Sequence, residues 1–262
     1  MSDALTDDPW QALRHYTNAR IALGRAGNSL PTTALLSFNL AHAQARDAVH
    51  HALDLDALIL QVQAAGFQTI PVHSAAVDRA HYLRRPDSGR RLSAASRAAL
   101  DDLNSANAVA HDVVFVIADG LSAFAAERQA VPLLAAVCPR LSGWRIGPVV
   151  IAEQSRVALG DEIGEALHAE FVVMLIGERP GLSSPDSLGI YITCRPKVGR
   201  TDAERNCISN VRPAGLGYEA AAHKLHYLLM HARRLGLTGV SLKDRSDELL
   251  GQGQIKDLPA AG

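Results

Sequence analysis

The run Val113-Val114-Phe115-Val116-Ile117-Ala118-Asp119-Gly120 decides how the chain is read. Six consecutive apolar residues, mostly β-branched and with no polar alternation, describe a strand buried on both faces, as in the interior of a parallel sheet. Asp119-Gly120 stops it, and the spacing predicts a helix from Ser122 to Val137. The pattern then repeats. Pro148-Val149-Val150-Ile151 is a second strand, Asp161–Ala169 a helix with Ile163, Ala166 and Leu167 turned inward, and Phe171–Ile176 another fully apolar strand halted by Gly177-Glu178-Arg179-Pro180-Gly181. Strands and helices alternating through short links predict an α/β fold with a doubly wound, mostly parallel, Rossmann-like sheet.

Working outward, Asp54–Ala65 reads as a helix ended by Gly66, Phe67–Val72 as a strand, and Leu83–Arg91 as a turn-rich basic loop. Leu92–Leu103 is a further helix with Ser93 near its start. Leu188–Thr193 is a further strand, and Tyr218–Leu235 a long amphipathic helix burying Ala222, Leu225, Leu229 and Ala232. The tail after Leu250 is expected to fray. Toward the N-terminus the period is helical throughout. Asp8 can cap a helix carrying Trp10, Leu13 and Thr17, and a second helix starts at Thr32 with Leu35, Leu36, Phe38 and Leu40 on a broad apolar face. The expected organisation is a small all-helical N-terminal domain, 1–55, followed by an α/β domain, 56–262.

Of the 262 residues, 48% are hydrophobic and 20% charged, enough apolar material for a real core, and the net charge of −1 gives no basic stripe for nucleic acid or anionic lipid. Aromatic residues are 5%, which disfavours base-stacking modules. Cys138, Cys194 and Cys207, an odd count without repeat spacing, argue for a reducing compartment, and no CxxC or HExxH suggests a metal. There is no secretory pattern at the start and no apolar stretch of membrane length, so the expected location is cytoplasmic.

In such a sheet, ligands sit beyond the carboxyl ends of the strands. Here that edge would gather Asp119-Gly120, the loop after Ile151, and Gly177-Glu178-Arg179. Asp119 is open to two readings, a catalytic carboxylate or the cap of the helix behind it. Gly215-Leu216-Gly217-Tyr218-Glu219-Ala220 formally matches a dinucleotide turn, but Pro213 and the lack of a long preceding strand speak against it. His223, His226 and His231 share a helix without a carboxylate at ligand spacing. Neither a nucleophile elbow nor a P-loop is present. The residues thus describe a ligand edge without a catalytic constellation, as suits a binding module or half of a shared site.

Six segments carry a family resemblance: Ala19–Gly27, Arg85–Arg91, Ala118–Ser122, Asp161–Glu165, Gly177–Leu182 and Arg205–Asn210. In this order, from about residue 8 to residue 243, they resemble the small subunit of adenosylcobalamin-dependent ethanolamine ammonia-lyase. The resemblance implies a large-subunit partner whose barrel takes ethanolamine, adenosylcobalamin held between the two chains, and radical deamination to acetaldehyde and ammonia. It also implies cofactor contacts at Val157, Glu178 and Cys207, with no catalytic residue in this chain. Val157 would offer an apolar surface or backbone group, and Glu178 a carboxylate to the corrin amides or the nucleotide hydroxyls. Cys207, read as part of a turn, would contribute its thiol or backbone. The motif DxHxxG is absent, so no cobalt ligand is expected from this chain. Some relatives carry an N-terminal extension linked to a bacterial microcompartment, and residues 1–8 are short for that role. The competing reading is a free-standing nucleotide-dependent α/β enzyme using Asp119 or the Gly215–Ala220 turn.

Overall fold

The computed structural model describes residues 5–106 and 109–247. The expected fray after Leu250 lies outside the described residues. A six-stranded mixed sheet forms the body. Its strands are β3 (Thr69–His73), β4 (His111–Ala118), β5 (Val149–Glu153), β6 (Ala169–Gly177), β7 (Leu188–Cys194) and β8 (Arg205–Val211), in the spatial order β3-β5-β4-β6-β7-β8. The first four are parallel in register, while β7 pairs antiparallel with β6, and β8 with β7. The Leu188–Thr193 strand is therefore present, but it runs against its neighbour. The ten residues between β6 and β7 allow a hairpin-like return and are too few for a crossover helix.

Helices cover both sides of the parallel strands. On one face, α2 (Leu55–Ala64), α5 (Ala123–Val137) and α7 (Tyr218–Leu235) bury Val113, Phe115 and Ile117 of β4 with Phe171, Val173 and Leu175 of β6. On the other face, α4 (Ala94–Ala106) and α6 (Leu159–Ala166) cover Val114, Val116, Val172 and Met174. Residues of both parities along β4 are thus fully buried, which is why its sequence has no polar alternation. On this second side no described helix follows across β7 and β8, and Tyr191 and Cys207 are left half-buried and exposed there.

The N-terminal part departs from the helical expectation. Residues 5–31 hold a 3₁₀ turn over Gln11–His15 and a two-residue strand pair, β1 (Leu5–Thr6) with β2 (Arg25–Ala26), where a helix from Asp8 was expected. Asp8 bonds the Trp10 amide, and Gly24 and Gly27, both at positive φ, turn the chain back before a helix can propagate. The second helix is real: α1 spans Thr32–His50, yet only Ala41 and Ala48 are buried in it. Between α1 and β4 lie a short helix, α3 (Arg79–Arg84), and a 3₁₀ turn, Ser88–Arg90, where the basic loop was expected.

Candidate functional site

Asp119 follows β4 at the point where α5 and α6 leave adjacent strands on opposite faces. That crevice is filled. The fully buried Tyr82 ring of α3 occupies it, its hydroxyl donating to the Ser155 carbonyl, with the Arg79 and Arg156 guanidinium groups over the ring at 4.9 and 4.3 Å. The Asp119 carboxylate accepts from the amides of Gln154 and Ser155, both at 2.9 Å, and from Arg79 at 3.2 Å. Burial dominates these bonds and pushes its pKa up to about 6. The capping reading of Asp119 does not hold. The cap of α5 is Ser122, whose hydroxyl accepts from the Ala125 amide, and the Asp119 carboxylate instead clamps the loop between β5 and α6. Arg79 also donates to the Gly120 and Val49 carbonyls, so the clamp reaches the end of α1.

Glu178 begins the loop leaving β6. Its amide donates to the Ser187 carbonyl, and its Oε2 accepts from the Ser187 hydroxyl and the Asn210 amide. Asn210 can reach it because β8 is bulged: Ile208 pairs with Ile190 and Val211 with Leu188, so two residues oppose Gly189, and Asn210 sits at a φ of 61°. Gly189 makes room for the carboxylate. A side-chain carbon there would stand 3.1 Å from Glu178 Oε1 and 3.2 Å from the Tyr191 ring. The carboxylate therefore lies over the strand on the Tyr191 side, with both described hydrogen bonds on Oε2.

Tyr191 joins the remaining pieces. It is in register with Cys207 across the β7–β8 pair, so the two side chains are neighbours on one face. Burial first, then Cys207 and Glu178, raise the phenol above its usual pKa. Val157, half-buried between β5 and α6, packs against the same apolar cluster as Tyr191. The structure thus brings the three sequence-derived residues to one face. Val157 packs on the apolar cluster of that side of the sheet, Glu178 lies across Gly189, and Cys207 is exposed with Sγ 3.4 Å from Ser209 Oγ. Cys207 is in strand β8, contrary to the turn read from the sequence; Ile208 and Val211 are buried on the far face while the exposed positions between them are polar, which disguised the strand. Asn210 to Cys207 is three residues, so the carboxylate and the thiol are roughly 10 Å apart along the strand.

Sequence reasoning missed Tyr191 and Gly189. Their signal was alternation: Leu188, Ile190 and Ile192 are aliphatic, whereas Gly189, Tyr191 and Thr193 are not, the mark of a strand with only one helix-covered face. This surface is a shelf. Concavities among the described residues lie between α1 and α5 around Phe124 and Arg128, and around Arg14 and Arg20. The Gly215–Ala220 turn follows an antiparallel edge strand, where a dinucleotide turn follows a parallel one. Among the described residues no group of three or more His, Cys, Asp or Glu is placed to hold a metal ion. His223 reaches the Ser246 carbonyl and the His231 ring lies tilted against Tyr227, 4.1 Å between centroids.

The family model described as "Ethanolamine ammonia-lyase light chain (EutC)" matches residues 7–243. Three curated relatives are named "Ethanolamine ammonia-lyase small subunit". That of Ralstonia nicotianae is 58% identical over 93% of this chain and 91% of its own length. That of Pseudomonas syringae pv. tomato is 56% identical, covering 93% and 86%. That of Azotobacter vinelandii is 55% identical, covering 92% and 90%.

Proposed function

The chain belongs to the ethanolamine ammonia-lyase light-chain family, and on that premise we propose that it is the small subunit of that lyase, holding adenosylcobalamin against a large-subunit partner. The observation that carries the cofactor reading is the open β7–β8 face, where Glu178, Tyr191 and Cys207 share one polar-edged shelf, with Val157 packed against the apolar cluster that Tyr191 joins. A corrin rim carries amide side chains and the nucleotide end carries hydroxyls. These are donors, and Glu178 offers Oε1 as the acceptor on a carboxylate already fixed by Ser187 and Asn210. The Cβ-free surface at Gly189 lets that acceptor lie flat under a large planar group. Val157 supplies apolar contact, and Cys207 a thiol beside the Tyr191 side chain. When bound, adenosylcobalamin supplies radical chemistry by homolysis of its cobalt–carbon bond, and ethanolamine would be held by the large subunit. This chain's residues orient the cofactor and shield one side of it from water. None of the proposed contacts is a histidine, so none of them would offer an imidazole to the metal.

The partner surface follows from exposure. Trp10, Leu13, Tyr16, Leu35, Leu36, Phe38 and Leu40 are all exposed, concentrated in the first 40 residues. A helix of 19 residues that buries only two alanines in its own chain leaves most of its apolar surface uncovered. We assign that face to the large subunit. The division near residue 55, into an N-terminal docking region and an α/β body, belongs to the same proposal. So does the doubly wound, Rossmann-like description of the parallel strands. No helix among the described residues is long and apolar enough to cross a membrane, and the proposed compartment is the cytoplasm or a microcompartment lumen within it.

The test is reconstitution. The purified chain with adenosylcobalamin should convert no ethanolamine, and co-expression with the large subunit should restore acetaldehyde release. Turnover by this chain alone, or saturable NAD or ATP binding without any response to cobalamin, would return the free-standing enzyme to favour.

A further inference from the structure

Two residues before the exposed Cys207, β8 carries the buried Arg205, whose side chain is 2% exposed, as is that of its partner Asp161. All five N–H groups of the guanidinium are used. Nη1 donates to Asp161 Oδ1 at 2.6 Å and to Thr193 Oγ1 at 2.8 Å. Nη2 donates to Asp161 Oδ2 at 2.7 Å and to the Arg200 carbonyl at 3.0 Å, and Nε to Asp202 Oδ1 at 3.4 Å. Taking both charges out of water is costly, and an apolar pair of similar volume usually serves stability as well or better. What a two-pronged pair adds is direction: the fork fixes the orientation of both partners, which a hydrophobic contact does not.

Its position gives that direction a use. Asp161 lies in the first turn of α6, four residues past Val157, and Arg205 is reached across β7 through Thr193. β8 is an edge strand whose one partner strand in the sheet is β7, and it is interrupted by the bulge at Ser209–Asn210. Among the described helices none packs on its Cys207 side, and the bonds from Asp161 are the ones that tie it to a helix on that side of the sheet. We infer that the Asp161–Arg205 pair is a positioning device for the corrinoid, fixing the spacing between Val157 at the head of α6 and Cys207 on β8. The inference rests on the cofactor face proposed above. Asp161 and Arg205 are positioning residues that touch no cofactor themselves. They hold two walls of the shelf at one separation, and a misplacement of about 1 Å in such a frame costs binding or rate up to about a hundredfold.

The experiment is a titration of the assembled two-subunit enzyme with adenosylcobalamin, read by the cofactor's absorbance, alongside thermal unfolding of each variant. Arg205→Lys keeps the charge and loses the fork, and it should raise the cofactor Kd about tenfold. The paired change Asp161→Leu with Arg205→Met removes the buried charges together. It should unfold near the wild-type temperature yet still bind the cofactor about tenfold more weakly, a separation that a merely structural ion pair would not produce. Glu170→Gln, which removes a half-exposed partner of Arg233 at the opposite end of β6, should leave Kd unchanged. Glu178→Gln is the benchmark for the face itself. If Glu178→Gln raises Kd while both Arg205 variants bind like wild type, the positioning role is overturned and the face stands. If Glu178→Gln also binds like wild type, the face is wrong and the inference falls with it.

Discussion

Asp119→Asn tests whether burial or hydrogen bonding governs the clamp behind the cofactor loop. The wild-type carboxyl is 2% exposed and accepts from two amides and Arg79, all of which favour its charged form, yet desolvation outweighs them and raises its pKa from 3.8 to about 6. The shift of about two units corresponds to about 3 kcal/mol. Near pH 7 the group is ionised in both the folded and the unfolded chain, and the shift contributes nothing. As pH falls through 6 the folded state takes up its proton first, so Asp119 adds stability that is complete below about pH 4 and is lost again as pH rises through 6. Asparagine does not titrate. Other groups change alike in both proteins, so the difference between wild type and variant isolates this one. The deficit of Asp119→Asn should therefore grow by about 2–3 kcal/mol between pH 7.5 and pH 4. The assay is urea unfolding across that range, followed by the fluorescence of Trp144, which packs on Phe171 and carries Arg233 over its ring. A deficit that stays constant, or shrinks toward pH 4, would mean that Arg79 and the Gln154 and Ser155 amides win, and the reasoning would be refuted.

Two further outcomes follow from the same geometry. Gly120 has a φ of 53°, and a side-chain carbon there would stand 2.2 Å from the Gly177 carbonyl oxygen; Gly120→Ala should therefore destabilise the chain by about 3 kcal/mol or more, measured by the same urea transition. Leu36→Asp, at a 62% exposed position of α1, should leave that transition within about 0.5 kcal/mol of wild type but weaken association with the large subunit at least tenfold by quantitative co-purification. Full assembly of the Leu36→Asp chain would move the docking surface elsewhere.

The parallel strands were legible because burial on both faces leaves an unmistakable apolar run, as in Val113–Ala118 and Phe171–Ile176. Boundaries followed where a cap or terminator was explicit: Asp54 accepts from the Ala57 amide ahead of α2, and Gly236, at a φ of 69°, ends α7. β8 was not legible, because an edge strand with polar residues at its exposed positions reads as a loop. The helix expected from Asp8 failed for the opposite reason. Its apolar residues kept a helical period, but they face solvent in this chain, so no packing rewards a helix there. The three site residues came from family resemblance, and their convergence could not be read from spacing. It depends on the reversal of β7 and β8 and on the bulge opposite Gly189, both set by long-range pairing. Asp119 illustrates the same limit. Its place after a buried strand was plain, while its partners, 35 to 40 residues away along the chain, were not.

The central claim is that a corrinoid lies on the uncovered β7–β8 face with Glu178 as its hydrogen-bond acceptor. A structure of the two-subunit complex with adenosylcobalamin bound, by crystallography or cryo-electron microscopy, tests this directly. The corrin is expected to spread over Gly189, Tyr191 and Cys207, with an amide or hydroxyl of the cofactor donating to Glu178 Oε1. A corrinoid seated against another surface of this chain, or enclosed by the large subunit beyond hydrogen-bond reach of Glu178, would contradict it.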